Sequence, residues 1–259
     1  MPDDLPEITV GSIVRVPLSG RTVRGFVTAV RRQEPERPLR PIAARSGASP
    51  VFDERLLNTA RWAAAHYVAP LSVVLAATCP PNLPRPVAAP QPAPLSAADP
   101  RRRGRPRYLV SGSGHGDAAA RLVTPVLASG HNAMVVVPTA AECEMLAASL
   151  EPSLGPRVVT VTSSLGGKEL TTAWSTLAAQ RGLVAVGTRE LAMWGCGELG
   201  MAVVVEEGRP AMKAKQTPTL HVREVLRRRS TVERFQLAFL GPVPTLEALA
   251  AGVDVVEPA

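Results

Sequence analysis

Hydrophobic and polar positions alternate near the start of the chain in the manner of β-strands. The apolar positions fall in residues 8–10, 13–16 and 25–30, and a polar turn occupies residues 17–21. Two such runs on either side of a Ser-Gly pair predict a β-hairpin in a small sheet or barrel. From residue 53 to residue 66 the spacing of Leu56, Leu57 and Ala60 becomes helical, and Asp53 stands where it can cap the helix. A β-rich unit followed by a helix is therefore predicted.

A different pattern begins at residue 108, where short, fully apolar runs alternate with helical segments. Strands are predicted at 108–111, 133–137, 158–161, 183–186, 202–205 and 236–240, and helices at 140–150 and 171–180, among others. Strands that are apolar throughout are typical of a parallel sheet covered by helices on both faces. This part of the chain is predicted to be a doubly wound α/β domain.

The two patterns are separated by a stretch in which prolines recur without any apolar period. The stretch ends with five arginines among residues 101–107. This composition is typical of a semi-rigid, polyproline-like linker. We therefore predict one domain at 1–82, a linker at 83–106 and a second domain at 107–259. Arg101, Arg102 and Arg103 are predicted to bind the DNA backbone without sequence preference, with a merely solvated linker as the alternative.

Composition narrows the classes of function. The chain has 259 residues, of which 46% are hydrophobic, and a net charge of +7. This excess of positive charge favours a polyanionic partner. No apolar run approaches the roughly 18 residues of a spanning helix, and no basic, then apolar, leader begins the chain. We expect a cytoplasmic protein without a membrane partner. The widely spaced Cys79, Cys143 and Cys196 argue against disulfides and against a zinc site.

The segment 108–117 has the layout of a phosphate-binding loop with altered chemistry. A strand, the glycines Gly112 and Gly114, and the start of a helix follow in the expected order. However, His115 stands where a lysine should reach the phosphates, and Gly116 where a hydroxyl should bind Mg²⁺. Neither residue can replace the missing group. The second domain is thus predicted to be RecA-like, of the P-loop NTPase type, with its nucleotide chemistry lost.

Several segments in series resemble the primosomal protein N′ family, the PriA family of replication-restart helicases. In the first unit they are residues 11–17, 57–71 and 79–81. In the second they are the phosphate loop at 111–116, residues 135–139, the Gly-Thr-Arg motif at 187–192, the acidic box at 205–208, Lys213 and residues 221–223. The resemblance implies a 3′-DNA-end-binding domain followed by the first lobe of a helicase.

The departures from this family change what the resemblance implies. Val205 occupies the position of the metal-binding aspartate, whereas Glu206 keeps that of the catalytic glutamate. The Gly-Ser-Ala-Thr-Pro-Ser motif has become Gly-Pro-Val-Pro-Thr at 241–245, and the family's zinc clusters and second lobe have no counterpart. We therefore expect a degenerate and truncated member. Glu206 and Glu207 are interpreted as a solvated strand end, and His115 as a solvent-facing loop residue.

The resemblance also implies candidate site residues. Gly20 in the hairpin turn, with Ser19 as the alternative, and Arg40, expected on a following strand, correspond to the pocket for a DNA 3′ end. Arg189 corresponds to a contact with the DNA backbone, with plain solvation of a loop arginine as the alternative. Gly112, Ser113, Gly114, His115, Gly116 and Glu206 form a vestigial nucleotide site that could retain weak ATP binding; no cofactor and no metal are otherwise expected.

The functional hypothesis is a DNA-binding assembly protein for replication restart that acts on forked DNA or a free 3′ end without helicase activity. Other primosome proteins and single-strand-binding protein are implied as partners. The alternatives are an active ATP-dependent 3′–5′ helicase of the primosome and a non-functional gene remnant.

Overall fold

The computed structural model describes residues 7–31, 39–47, 49–83, 104–112 and 114–256. Arg101, Arg102, Arg103, Ser113 and most of the predicted linker lie outside these ranges. None of the described helices is long and apolar enough to cross a membrane.

The N-terminal part contains a three-stranded antiparallel sheet and two helices. Strands β1 (Ile13–Leu18) and β2 (Arg21–Phe26) form a hairpin, and β3 (Ala44–Ser46) pairs with the other edge of β1. The hairpin turn is the pair Ser19-Gly20, with φ of +48° and +77°. Positive φ at both central residues matches the right-handed twist of a hairpin. The second strand thus begins directly after Gly20, earlier than the predicted run at 25–30.

Two helices, α1 (Glu54–His66) and α2 (Leu71–Ala76), follow the small sheet. Helix α1 begins as predicted, because the Asp53 side chain accepts a hydrogen bond of 2.8 Å from the amide of Leu56. This bond satisfies one of the amides that every helix leaves unpaired at its start.

The second part is an α/β unit whose strands alternate with helices. Its strands are β4 (Arg107–Val110), β5 (Asn132–Val136), β6 (Val158–Val161), β7 (Val184–Gly187), β8 (Leu199–Val205), β9 (Gln236–Gly241) and β10 (Asp254–Val256). Its helices are α3 (His115–Ala128), α4 (Ala140–Leu154), α5 (Gly167–Ala179), α6 (Val222–Glu233) and α7 (Leu246–Ala250).

All seven strands are parallel, in the order β10-β4-β9-β8-β5-β7-β6. Helices cover both faces of this sheet, which explains why β5 and β8 are buried at every position. The predicted fold class, a β-rich N-terminal domain followed by a doubly wound α/β domain, is confirmed.

The two faces of the large sheet carry separate cores. On one face, α3 and α4 contribute residues such as Val123 and Leu150. On the other face, α5 and α6 are joined by α1 and α2 from the N-terminal part, so that Leu56 and Leu226 belong to the same cluster. A polar contact also joins the two parts, because the indole of Trp174 donates a hydrogen bond of 3.0 Å to the carbonyl of Thr78. The N-terminal part and the α/β part therefore share one core, and the predicted domain boundaries stay a prediction.

Candidate functional site

The predicted phosphate loop joins β4 to α3 at the carboxyl edge of the sheet. Gly114 adopts a left-handed conformation, with φ of +70°, immediately before His115, the first residue of α3. Strand β8 ends in Val205, and Glu206 follows with an unusual φ of +49°. Strand β9 lies between β4 and β8, so the loop and Glu206 face each other across one strand.

A chain of polar side chains lies beside the predicted phosphate loop, at the start of α3. Nε2 of His115 lies 3.4 Å from a carboxylate oxygen of Glu206, and the second oxygen of Glu206 accepts a bond of 2.9 Å from Arg209. Arg209 also contacts Glu142 at 2.5 Å. This phosphate-loop network, His115–Glu206–Arg209–Glu142, connects the starts of α3 and α4 with the end of β8. His115 is therefore not the solvent-facing loop residue that we expected.

Charge within the network holds Glu206 in its ionised form. The hydrogen bond from Arg209 lowers the pKa of Glu206 below its ordinary value, against the opposing effect of partial burial, and the bond from His115 acts in the same direction. The same contacts with Glu206 and Glu142 raise the pKa of Arg209. Sequence analysis missed Arg209 and Glu142. The available signals were the arginine three residues after Glu206 and the glutamate three residues after Thr139, the residue that caps α4.

A side chain at position 116, where the hydroxyl for Mg²⁺ was expected, would be crowded by the neighbouring helix. A Cβ built on Gly116 would lie 2.3 Å from Oγ and 2.9 Å from Cβ of Ser149, on the neighbouring helix α4. Val205, at the aspartate position, is 4% exposed and packs in the core beneath α3 and α4. Among the described residues, no group of three or more histidine, cysteine, aspartate or glutamate side chains could hold a metal ion.

Glu207, unlike Glu206, is a buried structural residue. It is 1% exposed, and its carboxylate contacts Arg223 at 2.6 Å and the hydroxyl of Thr245 at 2.6 Å. Burial alone would lower the pKa of Arg223, but its hydrogen bonds to Glu224 and Glu207 raise it. The interpretation of Glu207 as a solvated strand end was wrong. The residue instead ties the end of β8 to α6 and to the start of α7.

The predicted DNA-end residues lie in the N-terminal part. Gly20 is at the tip of the hairpin, where a Cβ would meet no atom within 4 Å. Arg40 is exposed and lies in irregular chain before β3, not on the strand that we expected. The structure thus leaves both residues accessible, and their contact with DNA stays a prediction.

Arg189 lies just after β7, as predicted, separated from the strand by Thr188, at the start of a short 3₁₀ helix, Arg189–Met193. Its side chain is 40% exposed and lies 3.1 Å from the carboxylate of the adjacent Glu190. This position leaves Arg189 on the surface at the carboxyl edge of the sheet.

Comparison with known proteins supports the resemblance seen in the sequence. Residues 1–80 match the family model for the 3′DNA-binding domain of PriA. The PriA-like character of the chain is thereby confirmed. The replication restart protein PriA of Treponema pallidum (strain Nichols) is 23% identical over 268 residues, which cover 93% of this chain and 41% of that protein. PriA of Bacillus subtilis (strain 168) is 26% identical over 141 residues, covering 54% of this chain and 18% of that protein. The chain thus spans less than half the length of either PriA.

Two solved structures show a weaker similarity. A DEAD box protein from Methanococcus jannaschii has a TM-score of 0.43 at 11% identity, and the match covers 60% of this chain and 46% of that one. RecG bound to a three-way DNA junction has the same TM-score at 16% identity, covering 60% of this chain and 21% of that one.

Proposed function

We propose that this PriA-like chain is a DNA-binding protein of replication restart that assembles at forked DNA or at a free 3′ end. The observation that carries the proposal is the match of residues 1–80 to the 3′DNA-binding domain of PriA. The net charge of +7 supports it, because a basic protein attracts the polyanionic backbone. Assembly with other primosome proteins or with single-strand-binding protein is part of the proposal and rests on the resemblance alone.

We further propose that the chain by itself does not couple DNA binding to ATP hydrolysis. The phosphate-binding lysine, the magnesium hydroxyl and the metal-binding aspartate are replaced by His115, Gly116 and Val205. In an active enzyme the lysine, the hydroxyl and the aspartate neutralise and orient the phosphates during phosphoryl transfer. Glu206, which would polarise the attacking water, is engaged by Arg209 and His115. The rival proposal, an active helicase, is supported by the overall resemblance to the PriA family and opposed by these replacements.

The experiment measures DNA affinity and ATP hydrolysis on the same purified chain. Forked substrates with a 3′-hydroxyl or a blocking 3′-phosphate would be titrated at several salt concentrations. We expect affinity to fall steeply with salt, because most of it comes from counterion release, and a modest preference for the 3′-hydroxyl. Arg40→Ala should remove part of that preference, whereas Arg121→Ala, at an exposed arginine on α3, should not.

Each result can contradict one part of the proposal. Equal affinity for both ends would remove end recognition and leave only a basic surface. Absence of any DNA binding would overturn the proposed function altogether. DNA-stimulated turnover above about 1 s⁻¹, the low end for typical enzymes, that is lost in Glu206→Gln would instead support the helicase.

A further inference from the structure

A cavity lies at the junction of the N-terminal part and the α/β part. It has a volume of about 360 Å³, near the lower end of the roughly 300–1,000 Å³ of small-ligand pockets. Residues 49–53 and Leu56 line it on one side, and α5, residues 195–197 and α6 line it on the other. Small-ligand sites occur preferentially at interfaces of this kind. None of the described residues proposed to contact DNA lines this junction cavity.

The walls of the junction cavity are largely apolar. Val51, Phe52 and Leu56 come from the N-terminal part, and Trp174 comes from α5. All four are buried in the core that the two parts share, so their positions are fixed by packing. The apolar surface for a ligand is therefore formed before the ligand binds.

The main polar group of the cavity is the guanidinium of Arg229, which is 1% exposed. Its Nε and Nη2 donate to the carboxylate of Glu233 at 2.6 and 2.9 Å, and its Nη1 donates to the carbonyls of Ala192 and Trp194. These four bonds leave one of the five guanidinium N–H groups, on Nη2, without an acceptor among the described residues. A buried donor without an acceptor is costly, so a ligand that brings an acceptor is favoured.

The charges around Arg229 disfavour an ionic ligand. Burial alone would lower the pKa of Arg229, but the nearby Glu233, Cys196 and Asp53 raise it. Burial also raises the pKa of the Cys196 thiol to about 12, so this thiol stays neutral. An anion would meet the carboxylates of both Glu233 and Asp53 against a single guanidinium. A cation would lie beside Arg229 and leave its remaining N–H without an acceptor.

We propose that the junction cavity binds a small, uncharged aromatic carboxamide or lactam. The ring would cover the apolar walls, the carbonyl would accept the remaining N–H of Arg229, and the amide N–H would donate to the carboxylate of Asp53. One oxygen of this carboxylate already caps α1, 2.8 Å from the amide of Leu56. Because both parts of the chain line the cavity, a bound ligand would stabilise their association. This inference goes beyond the proposed DNA-binding function and does not depend on it.

The probe is benzamide, titrated against the unmodified full chain and followed by ligand-observed NMR. A compound of this size should bind with a dissociation constant on the order of 1–10 mM. Benzoate and benzylamine keep the ring and replace the amide by an anion or a cation. Each should bind at least about tenfold more weakly, because it would bring an unpaired charge into a buried site.

The first variant fills the cavity. Gly195 lines it, and a Cβ at this position would meet no atom within 4 Å, so Gly195→Leu should keep the fold. It should weaken benzamide binding at least about tenfold, because the new side chain takes the space of the ring. Gly112→Leu is the matched control: a Cβ there also meets nothing within 4 Å, and Gly112 does not line the cavity. Its affinity for benzamide should be unchanged.

The second variant removes the acceptor for the amide N–H. Serine caps a helix as well as aspartate does, so Asp53→Ser should keep α1 while the carboxylate is lost. Benzamide should bind roughly three- to tenfold more weakly, the worth of one hydrogen bond. Glu54→Ser removes the neighbouring carboxylate, which does not line the cavity, and should leave the affinity unchanged.

Each outcome supports the inference or overturns it. No saturable binding of benzamide to the unmodified chain overturns it, and equal affinity for benzoate or benzylamine does the same. Binding that neither Gly195→Leu nor Asp53→Ser weakens would place the ligand elsewhere and overturn the cavity assignment. DNA affinity is measured without benzamide, so failure of the proposed function and failure of this inference are distinguishable.

Discussion

At the scale of single residues, Gly116 stands where helix α3 packs closely against helix α4. Because a Cβ at this position would lie 2.3 Å from Oγ and 2.9 Å from Cβ of Ser149, a side chain here requires Ser149 or the helices to shift. We expect Gly116→Ala to destabilise the fold by about 1–3 kcal/mol, the usual cost of overpacking. Urea denaturation would measure the change, and Gly112→Ala is the matched control, because a Cβ there meets nothing within 4 Å.

The contact with Ser149 allows a test that distinguishes steric crowding from the general effect of alanine on helix propensity. Ser149→Gly removes both atoms that crowd the new Cβ, so the double variant should be more stable than the sum of the two single changes predicts. Additive free energies of unfolding would show that Gly116 is not held by Ser149.

At the scale of elements, the phosphate-loop network connects α3, α4 and the end of β8 through Glu206. The folded state lowers the pKa of Glu206, chiefly through its bond with Arg209. A carboxylate of this kind stabilises the fold above its unfolded pKa, and the contribution is lost as the pH falls through the lower, folded value. Glu206→Gln should therefore lower Tm at neutral pH, and the difference from the unmodified chain should vanish in acid.

The matched control for this prediction is Glu144→Gln. It removes a carboxylate from an exposed position on the nearby helix α4. Its effect on Tm should be small at every pH, because exposed charges contribute little to stability. A Tm difference for Glu206→Gln that is independent of pH would contradict the electrostatic account and indicate a packing effect.

The elements also show what the sequence could predict and what it could not. Strand β8 contains the apolar run at 202–205 that predicted it, because strands buried on both faces are apolar throughout. The local sequence of helix α6 gives no sign that one of its arginines is buried, because arginine is mostly an exposed residue. In fact Arg229 is 1% exposed, bonded to Glu233 and to the carbonyl of Ala192. Paired burial of charge depends on tertiary neighbours, which a local pattern does not contain.

The candidate site, too, could be predicted from the sequence only in part. The positions of His115 and Glu206 at the edge of the sheet follow from motif spacing along successive strands. Their contact with Arg209 and Glu142 depends on the path of the chain after β8, where Glu206 adopts a positive φ. A non-glycine residue with positive φ is uncommon, so the turn that brings Arg209 to Glu142 could not be predicted from the sequence.

At the scale of the whole molecule, the shared core limits how far the predicted domains can act separately. Helix α1 packs against α6, and Trp174 is bonded to Thr78 across the two parts. We expect that residues 1–83 and 104–259, produced as two polypeptides in the same cells, will purify as one complex. Residues 104–259 alone would expose the face that α1 and α2 cover, so they should bind a hydrophobic dye and aggregate. Gel filtration and dye fluorescence would measure both effects.

A substitution in α1 tests whether the shared core causes this association. Ala60 is completely buried in that core, whereas Ala65 is exposed on the same helix. Ala60→Asp places an unpaired charge in an apolar environment, so the two polypeptides should separate. Ala65→Asp introduces the same group into the same helix without burial and should leave the complex intact. If residues 104–259 alone are monomeric and unfold cooperatively at the same urea concentration as the whole chain, the two parts are independent domains, as the linker predicted, and the core between them adds nothing to stability.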